Sequence, residues 1–447
     1  MANETTEQKW LLLLICSVTA ISGLLFGYDT GSISGAILYI KKQYTLTTGQ
    51  EELIISMVAC GAIFGGLIGG RISDRFGRKK IILFSSALFI ITSLGLAFAT
   101  SVWQMIGYRF FIGVGIGASI ATVPLYIAEL VPSAVRGALV SVNQLAITVG
   151  ILASYLIGFA FVKTMDWRMI FAIGAIPAAI QLVVLSFFPE SPRHLMKVGK
   201  KSQALKILQK YRGSKKEAQL EITQIEHLHN IKTASWKEFL GKQMRPLLLA
   251  GIGISIIQQV TGINTIIYYA PTIFKLSGFS SDGAALFASV GVGTVNVLMT
   301  IVAIYLIDKI GRKPLLYIGL GSMIVSLVVL GLAFITASTE WVALISLITL
   351  FVYIGAFAIS LGPIAWLLNS EIYPLHIRGR AMGIASSANW LFNFIITATF
   401  LNLINLLGTS GTFWLYGLIG IFGLLFIWRW VPETKGKSLE EIEELLA

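Results

Sequence analysis

Twelve stretches of this chain are long and apolar enough to cross a lipid bilayer as helices. A helix needs about 20 mostly apolar residues to span the hydrocarbon core, and short segments rich in charge or turn-forming residues separate runs of that size here. The runs cover approximately residues 10–40, 53–70, 81–100, 103–130, 138–161, 169–188, 247–270, 284–307, 315–337, 342–368, 381–406 and 413–430. Their apolar residues recur with a helical period, without the alternation expected of barrel strands. The sequence therefore predicts an all-α membrane protein with 12 transmembrane helices.

The charged residues agree with a membrane protein and predict its orientation. Only 13% of the 447 residues are charged, whereas a soluble domain averages about a quarter. If the N-terminus is inside, 28 of the 34 Lys and Arg residues fall in cytoplasmic segments, as the positive-inside rule requires. One, Arg109, lies within a run, and the five outside are Lys41, Lys42, Lys163, Arg168 and Lys275. We expect both termini to be cytoplasmic, in a plasma (inner) membrane, and the net charge of +12 gives no reason to invoke nucleic acid.

The chain falls into two related halves. A long polar segment divides the runs six and six, and three motifs then repeat in the same order. DRFGRKK after run two matches DKIGRK after run eight, ELVPSAVRG matches EIYPLHIRG after runs four and ten, and PESPR matches PETKG at the ends of the halves. Such repetition predicts an internal duplication. We expect an N-terminal six-helix bundle over 1–188, a cytoplasmic linker with short surface helices over 189–246, and a C-terminal six-helix bundle with a short cytoplasmic tail over 247–447.

Two parallel six-helix halves around a central site are a transporter architecture. Rocking of one half against the other exposes the site to each side of the membrane in turn. The alternative is that the duplicated halves serve only assembly. The repeat therefore favours a transport function before any specific motif is considered.

Several motifs resemble those of one transporter family. GYDTGSISG, NQLAITVG, QQVTGIN, GPIAWLLNSEIYP and SANWLFNF within the runs, with PESPRHL and VPETKGKSLEEIE at the ends of the halves, are similar to those of sugar porters of the major facilitator superfamily. The likeness extends from about residue 24 to residue 442. DRFGRKK alone marks only the superfamily, whereas PESPR, PETKG and QQxxGxN together mark sugar porters. The chain resembles the bacterial proton-coupled monosaccharide symporters most, which implies the major facilitator fold.

Run seven carries a polar face that suits an uncharged, hydroxyl-rich ligand. At 100° per residue, one arc of this helix contains Gln258, Gln259, Thr261, Gly262, Asn264, Thr265, Tyr268 and Tyr269. Amides and hydroxyls can replace the hydration of such a ligand, and this face offers no charged residue to bind an ion. A lone Asn or Gln within a membrane is about as often a contact between helices. Gly262 and Pro271 also allow this helix to bend or break.

The resemblance to sugar porters implies which residues line the sugar site. They are Gln144, Gln258, Gln259, Asn264, Asn296, Trp366 and Asn389. Amides bind hydroxyl groups, and the indole of Trp366 can pack against the C–H face of a sugar. Animal facilitative glucose transporters carry a glutamate where this chain has Ala358, and this difference favours the bacterial-like branch. The predicted cargo is a neutral monosaccharide, a hexose such as glucose.

Asp29 and Arg109 are charged residues inside apolar runs. A carboxylate near mid-bilayer costs about 2.5–3.5 kcal/mol, and the helical rise of about 1.5 Å per residue places both residues in the outer half of the bilayer, so we expect a pair. One interpretation is a static structural ion pair. The other is proton coupling, which the resemblance implies, because proton-coupled sugar symporters carry both residues whereas facilitative relatives commonly have asparagine in place of the aspartate. Asp29 therefore favours symport, with a proton as the coupling ion.

Charged residues also repeat at the cytoplasmic ends of both halves. A solvated face is one interpretation, because single exposed ion pairs contribute little. Sugar porters use these positions as a cytoplasmic latch that holds the halves together while the outside is open, and the resemblance implies the same here. The latch residues are Asp74, Arg78, Glu129, Arg136, Glu190, Asp308, Arg312, Glu371, Arg378 and Glu433.

The remaining features favour a transporter over other classes of protein. The sequence has no HExxH motif, cysteine cluster or hydrolase motif, so we predict no enzymatic activity, no cofactor and no metal site. The predicted partners are a small neutral sugar, a proton and the lipid bilayer, and the chain is expected to be a monomer. A facilitative sugar uniporter is the alternative within this class. A non-transporting sugar receptor is the alternative from another class, but it would normally add a long signalling tail.

Overall fold

The computed structural model describes residues 6–130, 136–212, 214–229, 239–242, 244–336, 338–437 and 441. All regular secondary structure in these ranges is helical. The predicted all-α class is thereby confirmed.

Seventeen helices make up most of the described part of the chain. The first six are α1 Thr6–Gln43, α2 Thr48–Phe76, α3 Arg78–Ala97, α4 Val102–Leu130, α5 Arg136–Ala160 and α6 Trp167–Ser186. Three short helices follow, α7 Pro192–Lys197, α8 Lys201–Arg212 and α9 Lys215–His229. The last eight are α10 Arg245–Val260, α11 Ile263–Leu276, α12 Asp282–Ile310, α13 Arg312–Thr336, α14 Thr339–Ile359, α15 Leu361–Glu371, α16 Leu375–Thr397 and α17 Phe400–Trp430.

These helices account for the twelve predicted runs. The first six runs are α1 to α6, and runs eight and nine are α12 and α13. Runs seven and ten are each built from two helices, α10 with α11 and α14 with α15. Run eleven is α16 followed by the start of α17, and run twelve is the rest of α17 beyond a kink at Gly408. Within the described residues, ten of the spans contain helices that are long and apolar enough to cross a membrane. The other two are α1, with most side chains before residue 20 outside the described part, and the broken run eleven.

The helices pack mainly within two bundles, as expected for a duplicated fold. In the N-terminal bundle α2 packs on α4, α1 on α5, and α3 on both α4 and α6. In the C-terminal bundle α13 packs on α14 and α17, α10 on α16, and α12 on α14. The bundles meet mainly along three helix pairs, α5 with α12, α2 with α16, and α1 with α11, and α2 also contacts α17. A side chain on any of these seven helices can therefore face the plane between the bundles. The domain boundaries predicted at 188/189 and 246/247 stay a prediction.

The helix breaks within spans lie in the C-terminal bundle. Gly262 has a φ of 91° between α10 and α11, Ser360 is non-helical between α14 and α15, and Ala398 and Thr399 separate α16 from α17. In the described part of the N-terminal bundle, α4 and α6 remain continuous through Pro124 and Pro177. A break frees backbone groups that lipid cannot satisfy. The C-terminal bundle therefore presents backbone carbonyls as well as side chains to its interior.

In the predicted orientation, the outer end of the molecule carries Lys42 and Asp282, and the inner end carries Arg78 and Arg312. The helices α7 to α9 follow α6 at the inner end and pack on one another.

Candidate functional site

The break between α10 and α11 fixes the start of a polar site. Gly262 adopts the left-handed conformation, and a Cβ atom there would lie 2.7 Å from Cδ2 of Tyr416, so both the backbone and the packing require glycine. The break places Gln258 and Gln259 at the end of one helix and Asn264 at the start of the next. The sequence allowed a bend at Gly262 or at Pro271, and the structure breaks at Gly262 while Pro271 lies inside α11.

Four amide side chains in the C-terminal bundle form one hydrogen-bonded chain. Asn264 Nδ2 donates to Gln259 Oε1 at 2.6 Å, and Gln259 Nε2 donates to Asn389 Oδ1 at 3.1 Å. Asn389 Nδ2 in turn donates to Gln258 Oε1 at 2.8 Å. Amides both donate and accept, so a ligand hydroxyl can replace any of these partners. The network thus unites four of the seven residues predicted to line the sugar site.

The amide chain is anchored to backbone carbonyls in the first turn of α15 and within α10. Gln258 Nε2 donates to the carbonyl oxygens of Leu361 and Gly362 at 2.8 and 3.1 Å, just after the break between α14 and α15. Asn389 Nδ2 also donates to the Ser255 carbonyl at 2.8 Å. These bonds orient the two amides, because each is held by fixed backbone acceptors as well as by its neighbour. Ser255 is a part of the site that sequence reasoning missed, whereas Gly362 and Pro363 indicated a weak helix near the break at Ser360.

The other three predicted sugar residues lie on separate helices. Asn296 is a buried residue of α12, whereas Gln144 of α5 and Trp366 of α15 are half-buried. The hydrogen bonds of the amide chain given above do not include them. Their roles therefore stay a prediction, with Gln144 as the contribution from the opposite bundle.

An aromatic pair also joins the two bundles. Trp390 of α16 packs edge-to-face against Phe26 of α1, with ring centroids 5.4 Å apart. Trp390 follows Asn389 of the amide chain directly, and Phe26 lies one helical turn before Asp29. Such a contact adds stabilisation beyond the burial of area. It places the neutral site of one bundle close to the charged site of the other.

Asp29 and Arg109 form the ion pair that the sequence predicts. Arg109 Nη1 and Asp29 Oδ1 are 2.5 Å apart, and the residues are 0% and 3% exposed. Arg109 also donates from Nε to the Ile54 carbonyl at 3.0 Å and from Nη2 to the Ile55 carbonyl at 3.2 Å. A buried charge is tolerated when such partners satisfy it. The pair therefore joins three helices of the N-terminal bundle, α1, α2 and α4.

Tyr268 connects this ion pair to the C-terminal bundle. It lies in α11, is buried, and interacts electrostatically with both Asp29 and Arg109. Its hydroxyl also interacts with Thr30 of α1 and with Asn393 of α16. Asn393 lies one helical turn after Asn389 of the amide chain. The charged site and the amide chain are thus neighbours across the plane between the bundles.

A charge cluster lies at the inner end of the N-terminal bundle. Arg78 pairs with Glu129, with Nε 3.0 Å from Oε2, and its Nη2 lies 2.8 Å from Asp74 Oδ1. Glu129 also accepts a short hydrogen bond from the Ser191 hydroxyl. Arg78 and Glu129 are buried, whereas Asp74 is exposed. The cluster fastens α2, α3 and α4 to the segment after α6.

Glu190 has a different role in this cluster. Its Oε1 accepts the backbone N–H groups of Arg78 at 2.9 Å and of Lys79 at 3.1 Å, the first two residues of α3. A carboxylate at a helix N-terminus satisfies N–H groups that lack partners within the helix. A Cβ atom on Gly77, whose φ is 108°, would lie 2.2 Å from Glu190 Oε2. The glycine of DRFGRKK is therefore required for both its backbone conformation and this close approach.

The C-terminal bundle repeats the cluster position by position. Arg312 Nη2 lies 2.8 Å from Glu371 Oε1, and Arg312 Nη1 lies 3.3 Å from Asp308 Oδ1. The Thr434 hydroxyl donates to Glu371 at 2.5 Å, where Ser191 donates to Glu129 in the first half. Ser191 and Thr434 were missed from sequence, although both follow the glutamate of the repeated PES and PET motifs.

Glu433 caps α13 as Glu190 caps α3. Burial alone would raise the pKa of the Glu433 carboxyl, but hydrogen bonds from the backbone N–H groups of Lys435, Lys313 and Arg312, together with the charge of Arg312, hold that pKa below its ordinary value. These donors stabilise the ionised form. Glu433 therefore stays charged at neutral pH and continues to accept the N–H groups at the start of α13.

The inner charge clusters are each completed within their own bundle. Arg78 pairs with Glu129 of the same bundle, and Arg312 with Glu371 of its own. Arg378 donates from Nε to the Tyr373 carbonyl at 2.9 Å, also within one bundle. The side chain of Arg136 lies outside the described part of the chain. A latch between the halves, as predicted for the outward-open state, stays a prediction.

Polar contacts between the bundles lie towards the outer end. Lys42 Nζ lies 2.5 Å from Asp282 Oδ2, and the Tyr155 hydroxyl donates to the Ile267 carbonyl at 2.7 Å. Glu52 accepts two hydrogen bonds from Asn402. These contacts were not found by sequence reasoning, because they join residues far apart in the chain that carry no repeated motif. They hold the bundles together at the outer end.

Comparison with known proteins decides the family. The profile described as "Sugar (and other) transporter" matches residues 15–446. The chain belongs to the sugar transporter family. The sugar-porter resemblance and the major facilitator fold are thereby confirmed. This protein is a multi-pass membrane transporter and not an enzyme.

Relatives with known cargo cover nearly the whole transporter. It is 41% identical over 430 residues to the D-xylose transporter of Levilactobacillus brevis, covering 96% of this chain and 94% of the relative. It is 37% identical over 433 residues to the glucose transporter GlcP of Staphylococcus epidermidis, covering 96% of each chain.

Solved structures of XylE have the same fold. A partially occluded inward-open conformation of this xylose transporter from E. coli has a TM-score of 0.84 at 34% identity, covering 96% of this chain and 99% of that one. The proton:xylose symporter XylE bound to 6-bromo-6-deoxy-D-glucose has a TM-score of 0.79 at 36% identity, covering 98% and 99%.

Proposed function

We propose that this transporter imports a neutral monosaccharide, a hexose such as glucose, together with a proton by alternating access. It acts in the plasma membrane with both termini in the cytoplasm. The observation that carries the proton coupling is the buried Asp29–Arg109 pair, which lies beside Tyr268 at the plane between the bundles.

The amide chain supports a neutral sugar as the cargo. Gln258, Gln259, Asn264 and Asn389 offer donors and acceptors without a formal charge, which matches hydroxyl groups rather than ions. The printed functions of the relatives, transport of D-xylose and of glucose, agree with this choice. XylE binds a halogenated deoxyglucose, so a pentose transporter of this fold also accommodates a hexose. Uptake of labelled glucose in competition with a panel of unlabelled sugars identifies the preferred cargo.

The Asp29–Arg109 pair supports coupling to a proton. When the aspartate is ionised, the pair holds α1 to α4 and, through Arg109, to the Ile54 and Ile55 carbonyls of α2. A proton entering from outside neutralises Asp29 and loosens the pair, and closure then becomes favourable with sugar bound. XylE, which shares the fold, is a proton:xylose symporter. A proton is therefore the coupling ion, and no other cofactor is required.

Asp29→Asn separates symport from uniport. We expect the variant, reconstituted in vesicles, to lose uphill sugar accumulation and sugar-induced alkalinisation of the medium, while exchange of labelled sugar continues. Wild-type protein treated with a protonophore provides the control, because it should also exchange without accumulating. Concentrative uptake by Asp29→Asn would contradict the proton role, and a wild-type protein that binds but never moves sugar would favour a receptor.

The repeated inner clusters support a latch that acts in the outward-open state. Glu129 and Glu371 occupy equivalent positions, and each holds an arginine of its own bundle while the outer end is closed. When the inner end closes, the same charges approach across the plane between the bundles. The double variant Glu129→Gln/Glu371→Gln should raise the labelling, by thiol reagents, of a single cysteine introduced at the inner end in a Cys16→Ser/Cys60→Ser background, and unchanged labelling would count against the latch.

A further inference from the structure

Glu52 makes a contact between the bundles that no sugar or proton role explains. This residue lies in the first turns of α2, near the outer end, and is 2% exposed. Its Oε1 accepts the backbone N–H of Asn402 at 2.9 Å, and its Oε2 accepts Asn402 Nδ2 at 2.5 Å. Asn402 is the third residue of α17. A carboxylate of one bundle thus binds the N-terminus of a helix in the other.

The break in run eleven makes this contact possible. Because α16 ends at Thr397 and α17 begins at Phe400, the new helix start presents N–H groups that have no partner within α17. The N–H groups of Leu401 and Asn402 both interact with Glu52. A negative charge at a helix N-terminus is favourable, and hydrogen bonds to an ionised group are roughly twice as strong as neutral ones. A continuous helix here would offer the carboxylate no backbone donors.

The neighbouring glutamate provides an internal comparison. Glu51 is 3% exposed and pairs with Lys41 at 2.7 Å. Lys41 belongs to α1, so this pair lies within the N-terminal bundle, whereas that of Glu52 crosses to the C-terminal bundle. Glu51 and Glu52 are therefore similarly buried but differ in their partners. When the outer end opens, the partner of Glu51 moves with it, whereas the partner of Glu52 moves away.

We propose that Glu52 and Asn402 form an outer gate that holds this transporter closed to the outside, with Glu52 as a positioning residue for alternating access. Rocking of the bundles towards the outward-open state separates α2 from α17, so both hydrogen bonds break and water solvates the carboxylate. The Lys42–Asp282 pair closes the same end, but Lys42 is exposed, and exposed pairs contribute little. Tyr155, which donates to the Ile267 carbonyl, and Glu52 are the buried members of these contacts, and Glu52 is the one that pairs through a carboxylate.

The outer gate opposes the inner clusters in the transport cycle. At the inner end the charges pair within each bundle and so do not resist separation in this conformation. At the outer end Glu52 pairs between the bundles and does resist it. Loss of the Glu52 contact should therefore move the protein towards the outward-open state, whatever the cargo.

Distance measurements between spin labels test the gate directly. Labels at Thr45→Cys and Ser280→Cys, both exposed near the outer end, in a Cys16→Ser/Cys60→Ser background report the separation of the two bundles. We expect Glu52→Ala to raise the ratio of the long-distance to the short-distance population about tenfold, which corresponds to about 1.4 kcal/mol. Asn402→Asp should raise it further, because two carboxylates would then face each other.

Controls separate a gate from general damage. Glu51→Gln removes a carboxylate of similar burial with a partner in its own bundle, and it should leave the distance distribution unchanged. The double variant Glu52→Gln/Asn402→Asp restores one carboxylate and one amide with their places exchanged, and it should return the distribution towards that of the wild type. A general loss of stability would not be rescued by this exchange.

The outcome is independent of the proposed cargo and coupling ion. The distances are measured without sugar, so failure of sugar transport would leave this test intact. An unchanged distribution in both Glu52→Ala and Asn402→Asp would overturn the gate, as would an equal shift in Glu51→Gln. In transport assays, gate variants should favour sugar binding from the outer side over the inner side, a difference that rests on the proposed function.

Discussion

The two bundles share an ancestry in sequence but hold their polar groups in different ways. In the N-terminal bundle, a fully paired Asp29 and Arg109 sit on helices that the described residues show as continuous. In the C-terminal bundle, neutral amides such as Gln258 and Asn389 lie on or beside a broken helix and bond to one another and to backbone carbonyls. A charge in a membrane needs rigid, complete pairing, whereas a ligand with many hydroxyls needs accessible donors and acceptors. On the proposed function, this difference separates a half that couples to the proton from a half that binds the sugar.

The inner ends of the same bundles have stayed alike. Arg78 with Glu129 and Arg312 with Glu371 occupy equivalent positions and make equivalent contacts. The repeat is therefore retained where both halves do the same task and has diverged where their tasks differ. Variants that affect one half and spare the other test this division.

Arg109→Ala should have the largest effect. Removing the guanidinium leaves the Asp29 carboxylate buried without its partner, which typically destabilises a protein by about 3–5 kcal/mol. Thermal unfolding of the purified protein in detergent measures the loss. The double variant Arg109→Ala/Asp29→Asn should recover much of it, since no uncompensated charge remains. If Arg109→Ala were as stable as the wild type, the charged pair would not be the feature that distinguishes the N-terminal bundle.

Gly262→Ala should have the next largest effect. The φ of 91° disfavours any residue with a Cβ atom, and that atom would meet the Tyr416 ring at 2.7 Å, so we expect a loss of about 2 kcal/mol in stability. Pro271→Ala, within the continuous part of α11, is the matched control and should change stability little. If both variants behaved alike in thermal unfolding, the break would not be the feature that organises the C-terminal bundle.

Gln259→Ala should weaken sugar binding about tenfold, because one bridging hydrogen-bond partner contributes about 1–1.5 kcal/mol. Gln181→Leu provides the comparison from the other bundle. Gln181 is also a buried amide, but it donates to Ser22 at 2.6 Å and accepts from Ser86 at 2.9 Å within the N-terminal bundle. This variant should lose stability and keep its sugar affinity, as measured by equilibrium binding. A loss of sugar affinity in Gln181→Leu would contradict the assignment of sugar binding to the C-terminal bundle.

The pH dependence of the inner cap should be the smallest effect. Because the pKa of Glu433 is held below its ordinary value, its contribution to stability is present above that ordinary value, about 4.3, and is lost as pH falls through the lowered value. The melting temperature of the wild type should fall more steeply below about pH 4.3 than that of Glu433→Gln. If the melting temperatures of the two proteins fell in parallel with pH, ionisation of Glu433 would contribute nothing measurable to stability.

Much of the fold could be predicted from local sequence. The runs gave the number of spans because a bilayer requires a minimum apolar length, and the repeated motifs gave the six-plus-six division. QQVTGIN predicted a polar face, and its glycine marked one of two candidate break points. Gly355, Gly362 and Pro363 indicated a weakened helix near the break at Ser360. The break before Phe400 could not be predicted, because it carries neither proline nor a left-handed glycine.

The contacts across the bundles were also beyond local sequence. Glu52 and Asn402 are 350 residues apart, and nothing near either residue indicates a partner. The resemblance to sugar porters named Asp29 and Arg109 together, but it could not show that Ile54 and Ile55 complete the pair. It likewise named ten latch residues without showing that, with the outer end closed, Arg78 and Arg312 each pair within their own bundle.

The amino-acid sequence by itself determined that this chain spans the membrane twelve times in two related halves, because apolar length and repeated motifs are properties of short segments. It also determined which side chains are unusual for a bilayer, Asp29 and Arg109 among them. Only the tertiary structure decided which of these groups touch. Hydrogen bonds such as Glu52 to Asn402 depend on the positions of whole helices, and the packing of all the helices together sets those positions.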